Sequence, residues 1–398
     1  MDPKKNVSFD DTSIAFSSKS NRRLRKMYYL FGSMNFNKLV KVGNILITFL
    51  LGIRFPIKGL IKHTVFEHFC GGETIEDSEK TIQELGKYNI GTILDYSVEG
   101  EKNEHGFDVT AKEIHRTIEK ASDTESIPFS VFKVTGIAST HVLTKKQSGI
   151  ELSQEEHSSY EKVIERVDAL CKRAYEKGVR IFIDGEESWI QDVIDDLVYE
   201  MMRRYNREKA IVYNTYQMYR HDMLDNLKKA FRKAQSEDYY LGAKLVRGAY
   251  LEKERERAEE LGYESPIQIT KEDTDNDYNR ALLFCIENKD RISLCSGSHN
   301  EYSNYYLTQL IEEKALSKND PDIYFAQLYG MSDNISYNLA KSGYNVAKYV
   351  PYGPVRSVMP YLIRRAAENS AIAGQTNREF QLIKKELIRR KKGQNGRS

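Results

Sequence analysis

Two adjacent arginines near the C-terminal end, Arg364 and Arg365, have the residue type and spacing to bind a carboxylate. Before them the sequence predicts a strand from Val346 to Val350, then a break at prolines and a glycine, then a helix. On that helix the arginines and Glu368 lie within about one turn of each other. Paired guanidiniums just past a strand-to-helix turn can grip a carboxylate with several N–H donors. The alternative interpretation is a solvated basic helix face.

A lysine in an apolar run is a second candidate for chemistry. Lys133 stands between Phe132 and Val134 in a stretch that reads as a strand. A buried ammonium needs a partner, so Lys133 either lies at an exposed strand end or has a chemical role. That role could be forming a Schiff base with a carbonyl substrate.

Acids and cations also follow other predicted strands. Asp184 begins an Asp-Gly-Glu-Glu segment, a pattern that also serves to cap helices. Lys244 and Arg247 lie in one apolar run, which is followed by Gly248. Gly248 allows close approach of a ligand to the backbone, but a glycine is also common where a helix begins. The start of a helix does not explain two cations in one strand, and these cations together could bind a pyrophosphate.

The elements that must position these residues begin at about residue 89, where strand-like runs alternate with helical patterns. The runs are Thr92–Asp95, Phe129–Ile137, Arg180–Asp184, Ala210–Asn214, Leu241–Val246, Arg291–Cys295, Ile323–Leu328 and Val346–Val350. Such alternation predicts an α/β fold of parallel βαβ units. Eight repeats favour a distorted (β/α)8 barrel of the TIM type, whose catalytic groups lie at the carboxyl ends of the strands. An open doubly wound sheet is the alternative, weakened by the missing glycine fingerprint.

The chain of 398 residues is divided into three predicted parts. Residues 1–88 form an N-terminal helical region, residues 89–376 the barrel, and residues 377–398 a basic C-terminal helix and tail.

The segment 38–69 is apolar with scattered Lys and Arg. It predicts a helical layer packed on the barrel, with a membrane-interface helix as the alternative. The basic run Arg389–Lys392 complements the helix dipole, or contacts anionic lipid.

Composition argues against several classes of protein. The 60 basic and 58 acidic residues leave a net charge of +2, which argues against a nucleic-acid-binding protein. The four cysteines form no Cys-x-x-Cys pair, and the histidines lack metal-site spacing, so we expect no metal and a reducing compartment. The N-terminus has no apolar signal core, and the run Ile45–Ile53 is too short to span a bilayer. We expect a cytoplasmic protein, peripheral at most on the inner face of the membrane.

Taken together, these stretches resemble the flavin-dependent proline dehydrogenases. The segment Tyr361–Asn369 is similar to the last helix of that family, Tyr-Leu-(Val/Ile)-Arg-Arg-x-x-Glu-Asn. Asp184–Glu187 is similar to its Asp-Ala-Glu-Glu, with Gly185 in place of alanine. Lys244–Tyr250 follows its pattern Arg/Lys-Leu-Val-Lys/Arg-Gly-Ala-Tyr, and Ser298–Asn300 stands where the family has Thr-His-Asn. The match continues in order over most of the chain and looks like the monofunctional branch.

The resemblance implies a binding pocket for L-proline. Lys133, Arg364 and Arg365 would hold the carboxylate, Glu99 would pair with Arg364, and Tyr349 would pack beside the ring. The implied substrate-binding residues are Lys133, Tyr349, Arg364, Arg365, Glu368, Glu99 and Tyr250. The hydroxyproline branch of the family has a small polar residue at the position of Tyr349, so a hydroxyproline dehydrogenase is the alternative within the family.

The resemblance also implies non-covalent FAD and oxidation of L-proline to Δ1-pyrroline-5-carboxylate, the first step of proline catabolism. Electrons would pass from FADH2 to a membrane quinone. Asp184 and Lys244 are the implied catalytic residues, with Lys244 near the flavin N5. The implied cofactor-binding residues are Gly185, Asn214, Lys244, Arg247, Gly248, Ala249, Ser298 and His299.

Two other classes of protein stay open from the residues alone. One is a barrel lyase or aldolase that uses Lys133 as a Schiff-base amine. The other is a non-catalytic, membrane-associated binding protein that has the same barrel. Bound flavin, or a substrate adduct on Lys133, would discriminate between them.

Overall fold

The computed structural model describes residues 7–34, 58–98, 103–364 and 375–395. Within these ranges no helix combines the length and the hydropathy needed to cross a bilayer. The same ranges contain no group of three or more His, Cys, Asp or Glu side chains that could hold a metal ion. Glu99, Arg365, Glu368 and residues 38–57 lie outside the described ranges, so the predictions made for them are not addressed by the structure.

Eight parallel strands close into a barrel, and each pairs with its neighbours in chain order. They are β1 Ile90–Tyr96, β2 Phe129–Phe132, β3 Arg180–Ile183, β4 Val212–Gln217, β5 Leu241–Val246, β6 Ile292–Gly297, β7 Ile323–Leu328 and β8 Val346–Tyr352. Closure occurs between β1 and β8, in a register from Ile90 opposite Val346 to Tyr96 opposite Tyr352. The predicted barrel is therefore confirmed, and the open sheet is wrong because the last strand pairs with the first.

Helices precede the barrel, cover its outer face and follow it. They are α1 Thr12–Ala15, α2 Asn21–Met34, α3 Lys58–Ile61, α4 Glu67–Phe69, α5 Ile75–Gly86, α6 Glu104–Ser122, α7 Thr140–Gln147, α8 Gln154–Lys177, α9 Ser188–Tyr205, α10 Met223–Ser236, α11 Leu251–Leu261, α12 Lys271–Glu287, α13 Glu301–Glu313, α14 Asp333–Lys341 and α15 Gln375–Asn395. A π-helical turn, Lys62–Phe66, joins α3 to α4. Capping boxes at Ser153 and Thr270 begin α8 and α12 by satisfying free backbone N–H groups.

Side chains along each strand alternate between the inside of the barrel and the helix layer. On the inside, the rings of Phe129 and Phe182 stack with centroids 4.2 Å apart, in a buried cluster that includes Tyr213 and Tyr349. Their outward-facing neighbours, such as Ile183, belong to the larger core between strands and helices. Apolar rings fill this part of the interior, and Lys133, Asp184 and Lys244 lie farther along the chain direction of their strands, toward the carboxyl ends.

Several element boundaries differ from the prediction. β2 ends at Phe132 rather than Ile137, because a 3-10 turn, Val134–Gly136, follows it and leaves Lys133 between strand and turn. β4 runs on to Gln217 rather than ending at Asn214. The last predicted helix begins at residue 359 rather than at Val355, since residues 355–358 form a turn.

The first and last parts of the chain pack together. The described part of residues 1–88 is helical between short connections, as predicted. α15 packs on α2, and a second core joins Phe31 of α2 to Ile383 of α15. Arg390, in the basic run, donates to the carbonyls of Phe16 at 2.8 Å and Lys19 at 2.7 Å. This cation therefore docks α15, and the domain boundaries at residues 88 and 376 stay predictions.

Candidate active site

Ionisable side chains from several strands meet at the carboxyl end of the barrel. Asp184, directly after β3, accepts a hydrogen bond from Lys244 of β5 through Oδ1 and lies 3.3 Å from Lys133 Nζ through Oδ2. Lys244 also donates to the hydroxyl of Tyr349 in β8 at 2.7 Å. Asp95 of β1 lies 3.8 Å from Lys133 Nζ and joins this cluster. Four residues chosen from the sequence are thus brought together, and Asp95 is an addition that sequence reasoning missed in favour of Glu99.

The Lys244 ammonium is almost fully removed from water, with 5% of its side chain exposed. It lies over the rings of Phe182 and Tyr349, 5.2 and 4.7 Å from their centroids. Burial by itself would raise the pKa of Asp184, but Lys244 and Lys133 outweigh burial and hold that pKa below its usual range. Burial and the Asp184 charge raise the pKa of Tyr349 well above its ordinary value. The phenol therefore stays protonated beside a charged pair.

A cavity of about 320 Å³ opens beside this cluster. Lys133, Arg364 and Tyr250 line it. Its apolar lining comes from Val98, Ile114, Val131 and Phe132. Three cations, Lys133, Lys253 and Arg364, and an apolar surface around one cavity suit a small apolar molecule that carries a carboxylate.

Glu186 also lines the cavity, although it was not among the residues chosen from the sequence. It is 2% exposed and accepts hydrogen bonds from the backbone N–H of Thr135, at 2.9 Å, and from the Thr135 hydroxyl. Burial raises the pKa of Glu186 to about 7, against the Thr135 hydrogen bonds, which lower it. An acid after a strand reads as a helix cap in sequence, so nothing there indicated its burial.

The ends of β5 and β6 are joined by the guanidinium of Arg247. Its Nε donates to Asp275 of α12 at 2.7 Å, and two further N–H groups donate to the hydroxyls of Ser298 at 2.8 Å and Ser303 at 3.0 Å. His299 follows Ser298 in the chain. Its Nδ1 atom lies 2.9 Å from the hydroxyl of Ser332, in the loop between β7 and α14. The predicted cofactor residues of these two strands therefore form one contiguous surface.

The turn after β5 has the shape needed for close approach of a ligand. Gly248 has a φ of +132°, and a Cβ there would lie 2.5 Å from the ring of Tyr219. Gly248 and Ala249 are exposed, so a ligand can approach their backbone. Together with the cations Lys244 and Arg247, this donor set suits the polar edge of a flavin ring and a pyrophosphate. The residues present fit FAD.

Asn214 lies apart from this surface. Its amide donates to Asp195 of α9 at 2.9 Å, on the helix side of β4. Gln217 has the opposite orientation: it donates to the carbonyl of Glu186 at 2.6 Å and lies against Gly185. Because β4 extends to Gln217, the period of two puts Asn214 outside and Gln217 at the open end of the barrel. A cofactor contact by Asn214 thus has no geometric support, and strand alternation was the signal that could have identified Gln217.

A closed (β/α)8 barrel with charged side chains at the carboxyl ends of its strands, beside a cavity, is the architecture of a barrel enzyme. Comparison with known proteins identifies the family of barrel enzymes. The family model described as "Proline dehydrogenase" matches residues 78–378. The chain therefore belongs to the proline dehydrogenase family and is an oxidoreductase.

Individual relatives agree with this assignment. The chain is 35% identical over 384 residues to "Proline dehydrogenase 1, mitochondrial" of Dictyostelium discoideum, which covers 85% of this chain and 67% of that protein. It is 35% identical over 322 residues to "Carbapenem antibiotics biosynthesis protein CarD" of Pectobacterium carotovorum subsp. carotovorum, covering 81% and 83% respectively. The solved structure of proline utilization A from Bdellovibrio bacteriovorus, inactivated by N-propargylglycine, matches with a TM-score of 0.73 at 20% identity. That match covers 92% of this chain but 39% of the other, and it supports the fold.

Proposed function

We propose that this protein oxidises L-proline to Δ1-pyrroline-5-carboxylate with non-covalently bound FAD. The observation that carries the proposal is the cluster of Lys133, Asp184, Lys244 and Tyr349 beside a cavity that Arg364 also lines. Membership of the proline dehydrogenase family supports it independently. The same membership disfavours a lyase, which would need Lys133 as a free amine, whereas Lys133 contacts two carboxylates.

The substrate carboxylate would bind between Lys133 and Arg364, which line one cavity. Lys133 and Arg364 offer charge-assisted donors, and the Arg364 guanidinium can present two parallel N–H groups. Arg365, Glu368 and Glu99 belong to this part of the proposal on sequence grounds alone. Fixing the carboxylate would fix the position of the ring carbon next to nitrogen, where positioning supplies much of the catalysis.

Tyr349 and Tyr250 would enclose the ring of the substrate. The Tyr349 ring lies nearly parallel to the ring of Phe182, with an angle of 13° between the planes and 6.2 Å between the centroids. Packing against Phe182 therefore fixes one face of the Tyr349 ring. A buried hydroxyl without a partner costs free energy. A substrate with an added hydroxyl beside this ring would therefore bind less well, which supports proline rather than hydroxyproline as substrate.

Bound FAD would supply the hydride acceptor, which no side chain of the protein can provide. Arg247, Gly248, Ala249 and His299 would hold its polar groups. Lys244 supplies a fixed positive charge at the open end of the barrel, and Asp184 orients that charge.

A membrane quinone is the proposed electron acceptor, with peripheral contact on the inner face of the membrane. Support comes from the basic composition of residues 38–69 and from Lys391 and Lys392, which are exposed. If these cations dock on lipid, binding to anionic vesicles should weaken steeply with salt. Equal binding to neutral and anionic vesicles would contradict an electrostatic contact.

The visible absorption spectrum of the purified protein tests the proposal. We expect a yellow protein that releases FAD on denaturation and is bleached by L-proline in the absence of oxygen. A colourless protein that does not take up added FAD would overturn the cofactor. A yellow protein that proline leaves unchanged would overturn the substrate. A borohydride-trapped adduct on Lys133 would support the lyase instead.

A further inference from the structure

The loop between β7 and α14, residues 329–332, contacts His299. Ser332, at the end of this loop, contacts His299 Nδ1 through its hydroxyl at 2.9 Å. The backbone N–H of Leu328, the last residue of β7, donates to His299 Nε2 at 3.4 Å. Together these contacts fix the orientation of the imidazole and favour the neutral tautomer with its proton on Nδ1. The contact through Ser332 therefore makes the position of His299 depend on where the loop lies.

The helix α15 fastens this loop at Ser332. The backbone N–H of Ser332 donates to Oε1 of Glu379, which is 6% exposed. Ser332 has a φ of +50° and a ψ of +42°, the left-handed region that a residue with a Cβ adopts at a cost. A strained residue keeps its conformation only when its surroundings hold it there. The carboxylate of Glu379 provides such a contact at the strained residue itself.

Other side chains fasten the rest of the loop. Lys348 of β8 donates to the carbonyl of Met331 at 2.5 Å and forms an ion pair with Asp333 at 3.0 Å. The imidazole of His68 lies 2.9 Å from the carbonyl of Gly330 through Nε2. These groups come from α4, β8 and α14, which lie outside the cavity. The loop is therefore positioned by a barrel strand, β8, together with helices that pack on the barrel.

We propose that Glu379 of α15 is a positioning residue for the cofactor site, acting through Ser332 on His299. The proposal rests on the proposed function insofar as His299 faces FAD. It gives α15, which contributes no residue to the cavity among those described, a role in the chemistry of the barrel. Loss of Glu379 would release the Ser332 N–H, let the strained residue relax and shift the imidazole.

Three variants of the full-length protein separate this role from simple packing. Glu379→Ala removes the acceptor, and Glu379→Gln keeps an amide oxygen that can still accept from Ser332. Glu386→Ala is the matched control, because Glu386 is a fully buried acid on the same helix that pairs with Arg389 and Arg390. The measurement is the dissociation constant of FAD, from titration of flavin-stripped protein followed by fluorescence quenching.

We expect Glu379→Ala to weaken FAD binding by roughly tenfold, as loss of a supporting contact to a site typically does. Glu379→Gln should restore most of the affinity, and Glu386→Ala should leave it unchanged. In a background of Ser332→Ala, where the hydroxyl that contacts His299 is already gone, Glu379→Ala should have little further effect. Unchanged affinity in Glu379→Ala, an equal loss in Glu386→Ala, or fully additive effects with Ser332→Ala would each overturn the proposal.

A readout without flavin keeps this test separate from the proposed function. The ring nitrogens of His299 give NMR signals in protein labelled with 15N-histidine, assigned with His299→Gln. Glu379→Ala should shift the Nδ1 signal of His299, and Glu386→Ala should not. If the wild-type protein takes up no FAD, the proposed function fails, and this shift still decides the coupling between α15 and His299. An unshifted signal would refute that coupling.

Discussion

Lys244 and Asp184 form an ion pair at the open end of the barrel, although 60 residues separate them along the chain. The side chains of Lys244 and Asp184 are 5% and 14% exposed, so each charge depends on the other for compensation. Lys133 approaches the second oxygen of the same carboxylate. One carboxylate therefore orients two cations: Lys133, which lines the cavity, and Lys244, which lies against aromatic rings inside the barrel.

The first prediction concerns Arg364, which lines the cavity. Arg364→Ala should raise the KM for proline, because the substrate carboxylate loses a charge-assisted hydrogen bond. Such a bond is worth about 1.5–3 kcal/mol, or roughly 10- to 150-fold in affinity at tenfold per 1.4 kcal/mol. Arg364→Lys should recover only part of this, since an ammonium lacks the planar two-donor fork. The sequence predicts the same behaviour for Arg365. Steady-state kinetics and flavin content are the measurements.

The control for this experiment is an arginine on the outer surface. Arg203 of α9 pairs with Glu200 one turn away, and both are partly exposed. Arg203→Ala should leave KM unchanged and alter the free energy of unfolding by less than about 1 kcal/mol. Wild-type KM in both Arg364→Ala and Arg365→Ala at full flavin content would show that the arginines do not bind substrate.

The second prediction separates the ring of Tyr349 from its hydroxyl. Tyr349→Ser removes the ring that would pack against the substrate, so the preference for proline over 4-hydroxyproline should narrow. Tyr349→Phe keeps the ring and removes only the hydroxyl that accepts from Lys244 at 2.7 Å, so the preference should persist. The ratio of kcat/KM for the two substrates measures this. A wild-type enzyme that is faster on hydroxyproline would contradict the assignment.

The third prediction concerns the turn after β5. Gly248→Ala places a Cβ against the ring of Tyr219 in a backbone conformation that side chains rarely adopt. Strain of this kind costs about 1–3 kcal/mol, and the displaced turn should lose FAD. Gly149→Ala is the matched control, because Gly149 also has a positive φ but has open space around it. It should lose about 1 kcal/mol of stability and keep its FAD. Equal FAD affinity in both variants would refute a cofactor role for this turn.

The fourth prediction concerns stability in acid. Burial lowers the pKa of His68 to about 4, so the folded protein holds this imidazole neutral while the unfolded chain protonates it near 6.5. Between these pH values the unfolded state binds more protons, and stability is lost as pH falls. The loss approaches about 1.4 kcal/mol for each unit of pKa difference.

Urea unfolding at pH 7, 6 and 5 measures this contribution. His68→Gln cannot take up the proton, so its stability relative to wild type should improve as the pH falls. His157 of α8 is exposed, and His157→Gln should follow wild type at every pH. A constant difference between wild type and His68→Gln over this range would show that His68 does not titrate as expected.

Much of the barrel could be predicted from the sequence, because each βα unit carries its own local pattern. Apolar runs of strand length alternate with helical patterns, and this periodicity is independent of distant contacts. The runs that carry Lys133, Asp184 and Lys244 were therefore predicted to be strands of one barrel. The ends of the strands were harder to predict. β4 runs on to Gln217, and the alternation of side chains along this strand puts Asn214 on the side of the helices.

What the sequence by itself determined is the set of chemical groups and the strand that carries each. The tertiary structure alone decided which of them meet: Asp184 between two lysines, Asp95 beside Lys133, and Glu379 of α15 at Ser332. The physical reason is that these contacts join residues far apart in the chain, at distances set by barrel closure and by packing of α15 on α2. Local propensity does not specify such contacts, whereas burial and charge pairing in the folded chain do.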